Sequence, residues 1–178
     1  AQVVRVLAFN LAMLLGLLVL IELALRVAGV RYPAFYRPDP VRGYTLRPGA
    51  SGLWTREGKG KVTINRDGLR DVDHNRQPEA GVLRVAVLGD SFSEALQVNL
   101  EATWWKQLEG LLNATPDCAF RKGYPGGVEM VNFGVGGYGT GLELLTWRQQ
   151  ARAYAPGKVL LAMFLGNDIQ DNTPQPRQ

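Results

Sequence analysis

Hydrophobic positions along the chain fall into three regimes. Residues 6–21 read VLAFNLAMLLGLLVLI, with no charge and with Asn10 as the only strongly polar side chain. With its flanks the mostly apolar stretch covers residues 3–30, more than the roughly 20 residues that a helix needs to cross a bilayer. Arg5 and Arg26 bracket it and can snorkel to opposite interfaces. The leading reading for 1–30 is a transmembrane signal-anchor helix. Two alternatives stay open. A cleaved signal peptide would have to use Val27-Ala28-Gly29, a poor small-residue cleavage site. A buried soluble helix would also be apolar all the way round. No lipobox cysteine lies nearby. Arginines on both sides leave the orientation weakly specified, and an opening Ala1 in place of Met suggests a missing or trimmed natural N-terminus.

Residues 31–81 are rich in Pro, Gly and Arg. Tyr32-Pro33, Arg37-Pro38, Asp39-Pro40 and Arg47-Pro48 enforce extended or loop structure, because a residue before proline is pushed out of the helical region. Residues 43–46 and 61–65 have the look of short strands, and Asn65-Arg66-Asp67-Gly68 is a turn signal. The segment reads as a small β-rich collar, with a plain extended tether as the alternative.

From residue 82 the pattern changes again. Residues 83–88 form an apolar run that ends at Gly89 and suits a buried strand. Trp104, Leu108, Leu111 and Leu112 recur at helical spacing and predict one apolar face. Residues 128–133 are a second strand candidate. Thr140-Gly141-Leu142-Glu143 has the form of a capping box, opening a helix that runs to about Tyr154 and is stopped by Ala155-Pro156-Gly157. Residues 158–165 are a third, wholly apolar strand. Strand, helix, strand, helix, strand predicts an α/β fold with a partial doubly wound parallel sheet over 82–178. Ligands of such sheets bind outside the carboxyl ends of the strands.

Composition narrows the classes. With 46% hydrophobic and 20% charged residues, a wholly disordered chain and a coiled coil are excluded. One cysteine, Cys118, and one histidine, His74, exclude an internal disulfide framework and a Cys/His zinc cluster. Cys118 reads as a partly buried free thiol in a helix-to-strand connection. Twenty Lys and Arg against sixteen Asp and Glu give +4, spread without a basic run, so nucleic acid is not an expected partner. Trp104, Trp105 and Trp147 read as packing residues rather than a sugar platform, and Trp54 falls in the collar.

Each of the three strands is followed by a polar cluster: Gly89-Asp90-Ser91, then Asn132 with Gly134-Val135-Gly136-Gly137-Tyr138-Gly139, then Gly166-Asn167-Asp168. A serine at a strand-to-helix corner, backbone N–H groups freed by glycines and a neutral amide donor would together form an oxyanion site for acyl transfer. Singly, each is a weak signal: Gly-Asp-Ser and Gly-Asn-Asp read first as turns. The glycine stretch lacks the Gly-Lys-Ser/Thr ending of a phosphate loop.

In this order the clusters resemble the blocks of the SGNH (GDSL-like) hydrolase superfamily, most closely its membrane-anchored bacterial members. Gly89-Asp90-Ser91-Phe92-Ser93-Glu94 is similar to the first block. Asn132 to Gly139 resembles the second and Leu165-Gly166-Asn167-Asp168 the third, with leucine where the family usually has glycine. Residues 44–49 and 64–70 also resemble lead-in segments of such anchored proteins. The resemblance implies Ser91 as nucleophile and Gly137 and Asn167 as oxyanion-hole donors, with Gly134 and Gly136 as fallbacks for the glycine. Asp90 and Asp168 would be supporting residues, and no metal or organic cofactor is implied. It implies a serine esterase, acylhydrolase or carbohydrate acetylesterase held at the cytoplasmic membrane, with its domain outside the cytoplasm and an acyl ester of a glycan or lipid as substrate. An O-acyltransferase for an exported polysaccharide and a non-catalytic anchored binding protein are the alternatives; the oligomeric state is open.

The family's base is a histidine in an Asp-x-x-His block after the last strand. Here Asp71-Val72-Asp73-His74 spells that pattern before the nucleophile strand, in a polar stretch where the histidine is expected to be exposed. The expectation is therefore a chain truncated before the Asp/His pair, inactive as it stands, with an open sheet edge and an uncovered helix face.

Overall fold

The computed structural model describes residues 2–28, 33–166, 168 and 172, in two compact units, Ala1–Tyr32 and Pro33–Gln178. The first unit is helix α1, Gln2–Val27. Its 26 residues rise about 39 Å at ~1.5 Å per residue. None of them is buried, and its best 18-residue window has a mean hydropathy of 2.5, so the helix is long and apolar enough to cross a membrane. Arg26 pairs with Glu22 one turn back.

The second unit begins with two antiparallel hairpins. Strands β1 (Tyr36–Asp39) and β2 (Gly43–Leu46) pair first. Their turn is held by the Asp39 carboxylate, which accepts the N–H groups of Val41 and Arg42, and Gly43 takes the left-handed φ of +79°. Strands β3 (Ser51–Trp54) and β4 (Gly60–Thr63) pair next. Asn65 then organises the 65–68 turn: its side-chain oxygen accepts from the Asp67 and Leu69 N–H groups, and Gly68 bonds back to its carbonyl. The hairpins share a core with the rest of the unit. Phe35, Leu46, Val62 and Ile64 pack with Leu96, Val135 and Tyr138.

Strand β5 (Val82–Gly89) is the centre of a three-stranded parallel sheet, with β6 (Gly127–Asn132) on one side and β7 (Lys158–Ala162) on the other. Its connections carry helix α2 (Ser91–Glu94), helix α3 (Trp104–Ala114) and helix α4 (Thr140–Gln149). Side chains alternate across β5. Leu83, Val85 and Val87 meet Trp105 of α3 on one face. Ala86 and Leu88 meet Leu69, Ala151, Tyr154 and Trp147 on the other. The chain is thus mixed α/β with a parallel sheet and an apolar N-terminal helix. Strand β7 stops at Ala162, short of the expected 165, and Val159 and Leu161 on it are exposed.

Two local expectations are corrected. The inward face of α3 is centred on Trp105, which has no exposed surface, while Leu111 is 65% exposed. At 100° per residue, 104, 105, 108 and 112 share an arc that 111 overshoots. The capping box does not form either. Gly139 is the N-cap of α4, Thr140 is already helical with its oxygen bonded by the Asn172 amide, and Glu143 turns into the interior.

Candidate active site

Strand β5 delivers the chain to a sharp corner. A Cβ on Gly89 would lie 2.4 Å from the Ser93 hydroxyl oxygen, so only glycine fits. Asp90 caps the short helix: its carboxylate accepts the Phe92 N–H at 2.9 Å, and its carbonyl accepts from Ser93 and Glu94. Ser91 is the first helical residue and stays partly exposed, on a cavity of about 560 Å³. The helix ends after one turn at Ala95, whose φ of +51° is left-handed.

The corner is fastened from below. The Ser93 carbonyl accepts from the Trp105 indole at 3.0 Å and from the Asn132 amide at 2.9 Å. Fully buried Asn132 also donates its side chain to the Arg70 carbonyl and its backbone N–H to the Asp71 carboxylate, and its amide oxygen accepts the Gly134 N–H. One side chain thereby ties the 70–71 segment, the Ser91 corner and the glycine loop.

The glycine loop crosses the corner at contact distance. A Cβ on Gly134 would come 2.5 Å from the Ser93 Cβ, and one on Gly136 would come 2.7 Å from a Glu94 carboxylate oxygen. Val135 bonds back to the Gly89 carbonyl. Gly137 turns the loop at φ +78° and is partly exposed. The Tyr44 hydroxyl donates to the Gly136 carbonyl and the buried Tyr138 hydroxyl to the Tyr44 carbonyl, so strand β2 buttresses the loop.

The end of β7 reaches the same place. The Phe164 ring lies 4.6 Å from that of Phe92, the neighbour of Ser91. Fully buried Asp168 closes the turn that follows, accepting the Phe164 N–H at 2.7 Å and returning its own N–H to the Phe164 carbonyl. Asn167 lies outside the described residues. The structure therefore sets the Asp90–Ser91 corner against the 134–136 loop and, through the Phe92–Phe164 contact, beside the segment that Asp168 closes.

No protein-family model matches this chain, and no curated protein matches it.

Two buried carboxyls near the corner escaped the sequence reading. Burial pushes Glu94 up to about 7, with Asp90 adding repulsion and the Tyr36 hydroxyl, the Gly136 N–H and Arg70 acting the other way. Burial also pushes Glu143 up to about 7, reinforced by the charges of Asp168 and Asp90, and among the described residues neither Glu143 oxygen has a hydrogen-bond partner. Glu94 ends the Gly89-to-Glu94 block and Glu143 stands at the last position of the expected capping box, but nothing local to either marks it as buried. Trp105 was read as packing; its indole donor to the corner is visible only in three dimensions. Among the described residues, no group of three His, Cys, Asp or Glu side chains is arranged to hold a metal ion.

His74 is buried, contrary to the exposed loop position expected of it. One ring nitrogen lies 3.1 Å from Asp71 and the other 2.6 Å from Glu129. Glu129 in turn pairs with Arg84, its register partner on β5, and the Arg84 guanidinium also donates to the carbonyls of Asn75, Arg76 and Tyr154. Burial alone would lower the His74 pKa, but the bonds and charges of Asp71 and Glu129 outweigh it and raise it to about 9. Raised in this way, the ring holds its proton at neutral pH and has no lone pair to accept another; its Nδ1 bonds Glu129, and its Nε2 faces the Asp71 carboxylate as an ion pair. It cannot serve Ser91 as a base.

Proposed function

We propose that the chain is a membrane-anchored serine ester hydrolase of the SGNH type, with its α/β domain outside the cytoplasm. The observation that carries this reading is the meeting of three parallel strand ends around Ser91, sealed by the Gly134–Ser93 and Phe92–Phe164 contacts. A central first strand flanked by the second and third is also the order with which flavodoxin-like doubly wound sheets begin. In the proposed reaction the Ser91 oxygen attacks an ester carbonyl and loses its proton to a base. The tetrahedral oxyanion is held by the Ser91 and Gly137 N–H groups and the Asn167 amide, then collapses to the acyl-enzyme as the base returns the proton to the departing alcohol oxygen; water then attacks the acyl-enzyme, releasing the acid and freeing Ser91. Each such donor is typically worth about 3 kcal/mol of barrier. Asp90 and Asp168 hold the turns on which these groups ride.

The engagement of His74 at both nitrogens favours a second reading, a non-catalytic anchored binding protein that keeps the corner without a base. Fluorophosphonate labelling of the full chain with and without added imidazole separates the two. The hydrolase reading expects labelling at Ser91 that imidazole accelerates and that Ser91→Ala abolishes. A serine that stays unlabelled at high imidazole would sink it.

A further inference from the structure

The cavity beside Ser91 is walled on one side by the β3–β4 hairpin. Glu57, in the hairpin's turn, and Gln97, just past the Ser91 helix, meet across its rim, the Gln97 amide donating to the Glu57 carboxylate at 3.2 Å. The hairpin is locked in place there. A Cβ on Gly58 would lie 2.5 Å from the Gln97 carbonyl oxygen, and one on Gly60 would lie 2.3 Å from that of Leu96. Two aromatic side chains, Phe92 and Trp104, also line it, beside Ala95, Val98 and Ala102. Phe92 is 60% exposed directly after the serine, and Trp104 borders the same space.

These groups divide the possible occupants. The volume of about 560 Å³ falls within the roughly 300–1,000 Å³ of small-ligand sites. A long alkyl chain would desolvate the Glu57 carboxylate and the Gln97 amide without replacing their hydrogen bonds. A phosphate or sulfate ester would meet a like charge at Glu57. A sugar ring offers apolar C–H faces to the aromatic rings and hydroxyl donors at its edge. One bond from Gln97 leaves the carboxylate most of its accepting capacity for such hydroxyls. We propose that this cavity is a subsite for an uncharged sugar ring bearing the ester, with Glu57 and Gln97 reading its hydroxyls and Phe92 and Trp104 flanking its apolar face. The assignment of the ester rests on Ser91 being the nucleophile; the recognition of the ring does not.

Binding by the full chain carrying Ser91→Ala tests this without chemistry. Titration with methyl 6-O-acetyl-β-glucopyranoside, read by tryptophan fluorescence and ligand-detected NMR, should saturate. Glu57→Gly should weaken it at least tenfold, and so should Ala102→Trp, which fills the cavity from an exposed position. Glu57 has a φ of +58°, where glycine is the more comfortable residue, so loss of fold does not explain that outcome. Unchanged binding in Glu57→Gly overturns the proposal, as does p-nitrophenyl octanoate binding more tightly than the sugar ester. If fluorophosphonate labels wild-type Ser91 but the sugar ester does not bind, the subsite falls and the nucleophile stands. If the sugar ester binds through Glu57 and Ser91 never labels, the subsite stands and the hydrolase reading falls.

Discussion

The Trp105 indole nitrogen lies 3.0 Å from the Ser93 carbonyl oxygen, joining the first residues of α3 to the turn that presents Ser91. The indole has no exposed surface, and the same carbonyl also accepts from Asn132. Trp105→Phe keeps most of the packing and removes the donor. It should cost about 1–3 kcal/mol, read by urea unfolding of the detergent-solubilised chain, and should slow fluorophosphonate labelling of Ser91. Labelling at the wild-type rate would show that the corner holds without this bond.

Asn132→Ala should be more damaging. It strips donors from the Ser93 and Arg70 carbonyls and an acceptor from the Gly134 N–H, all in the interior. A loss of about 2–4 kcal/mol is expected, since each orphaned buried group costs about 1–3 kcal/mol and local relaxation recovers part. The midpoint shift in denaturant measures it, and a shift smaller than that of Trp105→Phe would contradict the hub role given to Asn132.

Gly134→Ala probes the loop against the corner. The new methyl would sit 2.5 Å from the Ser93 Cβ and 2.9 Å from the Glu94 nitrogen, so the backbone must move. Destabilisation of about 1–3 kcal/mol follows from overpacking. Gly110→Ala meets nothing within 4 Å and is the control, expected to be neutral or slightly stabilising. Equal behaviour of the two variants in thermal unfolding would rule out the close approach.

Glu143 makes stability depend on pH in a defined direction. Its folded pKa of about 7 lies above the ordinary 4.5, so between those values the folded chain binds the extra proton. Stability from this group is full below about pH 4.5 and falls as pH rises through 7. Glu143→Gln should therefore stabilise by on the order of 3 kcal/mol at pH 8 and change little at pH 4.5. A stabilisation independent of pH would show that Glu143 does not titrate in this window.

His74 acts at higher pH. Its folded pKa of about 9 exceeds the ordinary 6.5, so its contribution is complete below about pH 6.5 and lost as pH rises through 9. Unfolding free energies between pH 6.5 and 9.5 should fall in the wild type, and this alkaline slope should flatten in His74→Gln.

The sheet and two of the four hairpin strands, β2 and β4, were legible because their signals are local; β1 and β3, interrupted by Pro38 and Gly52, were not. Apolar runs ending at Gly89 and Asn132, and the Asn65-to-Gly68 turn, need only neighbours to be read. The polar clusters could be assigned to strand ends for the same reason, which placed Ser91 and the glycine loop side by side. His74 defeated the reading because its partner Glu129 is 55 residues away and Arg84, inside an otherwise apolar strand, supplies the counter-charge. The capping box failed because burial of Glu143 competes with the local bond it could make. The Leu111 error was one of phase, since tertiary contact with β6 decides which side of an ambiguous stripe turns inward.

Gly58 and Gly60 of the β3–β4 hairpin set a rule for redesign. Residues 58 and 60 lie where any side chain would strike the carbonyls of residues 96–98. The hairpin cannot be transplanted, lengthened or diversified as an independent cassette. It exchanges only together with the turn that follows Ser91, so the two segments form one unit of variation although more than thirty residues of sequence separate them.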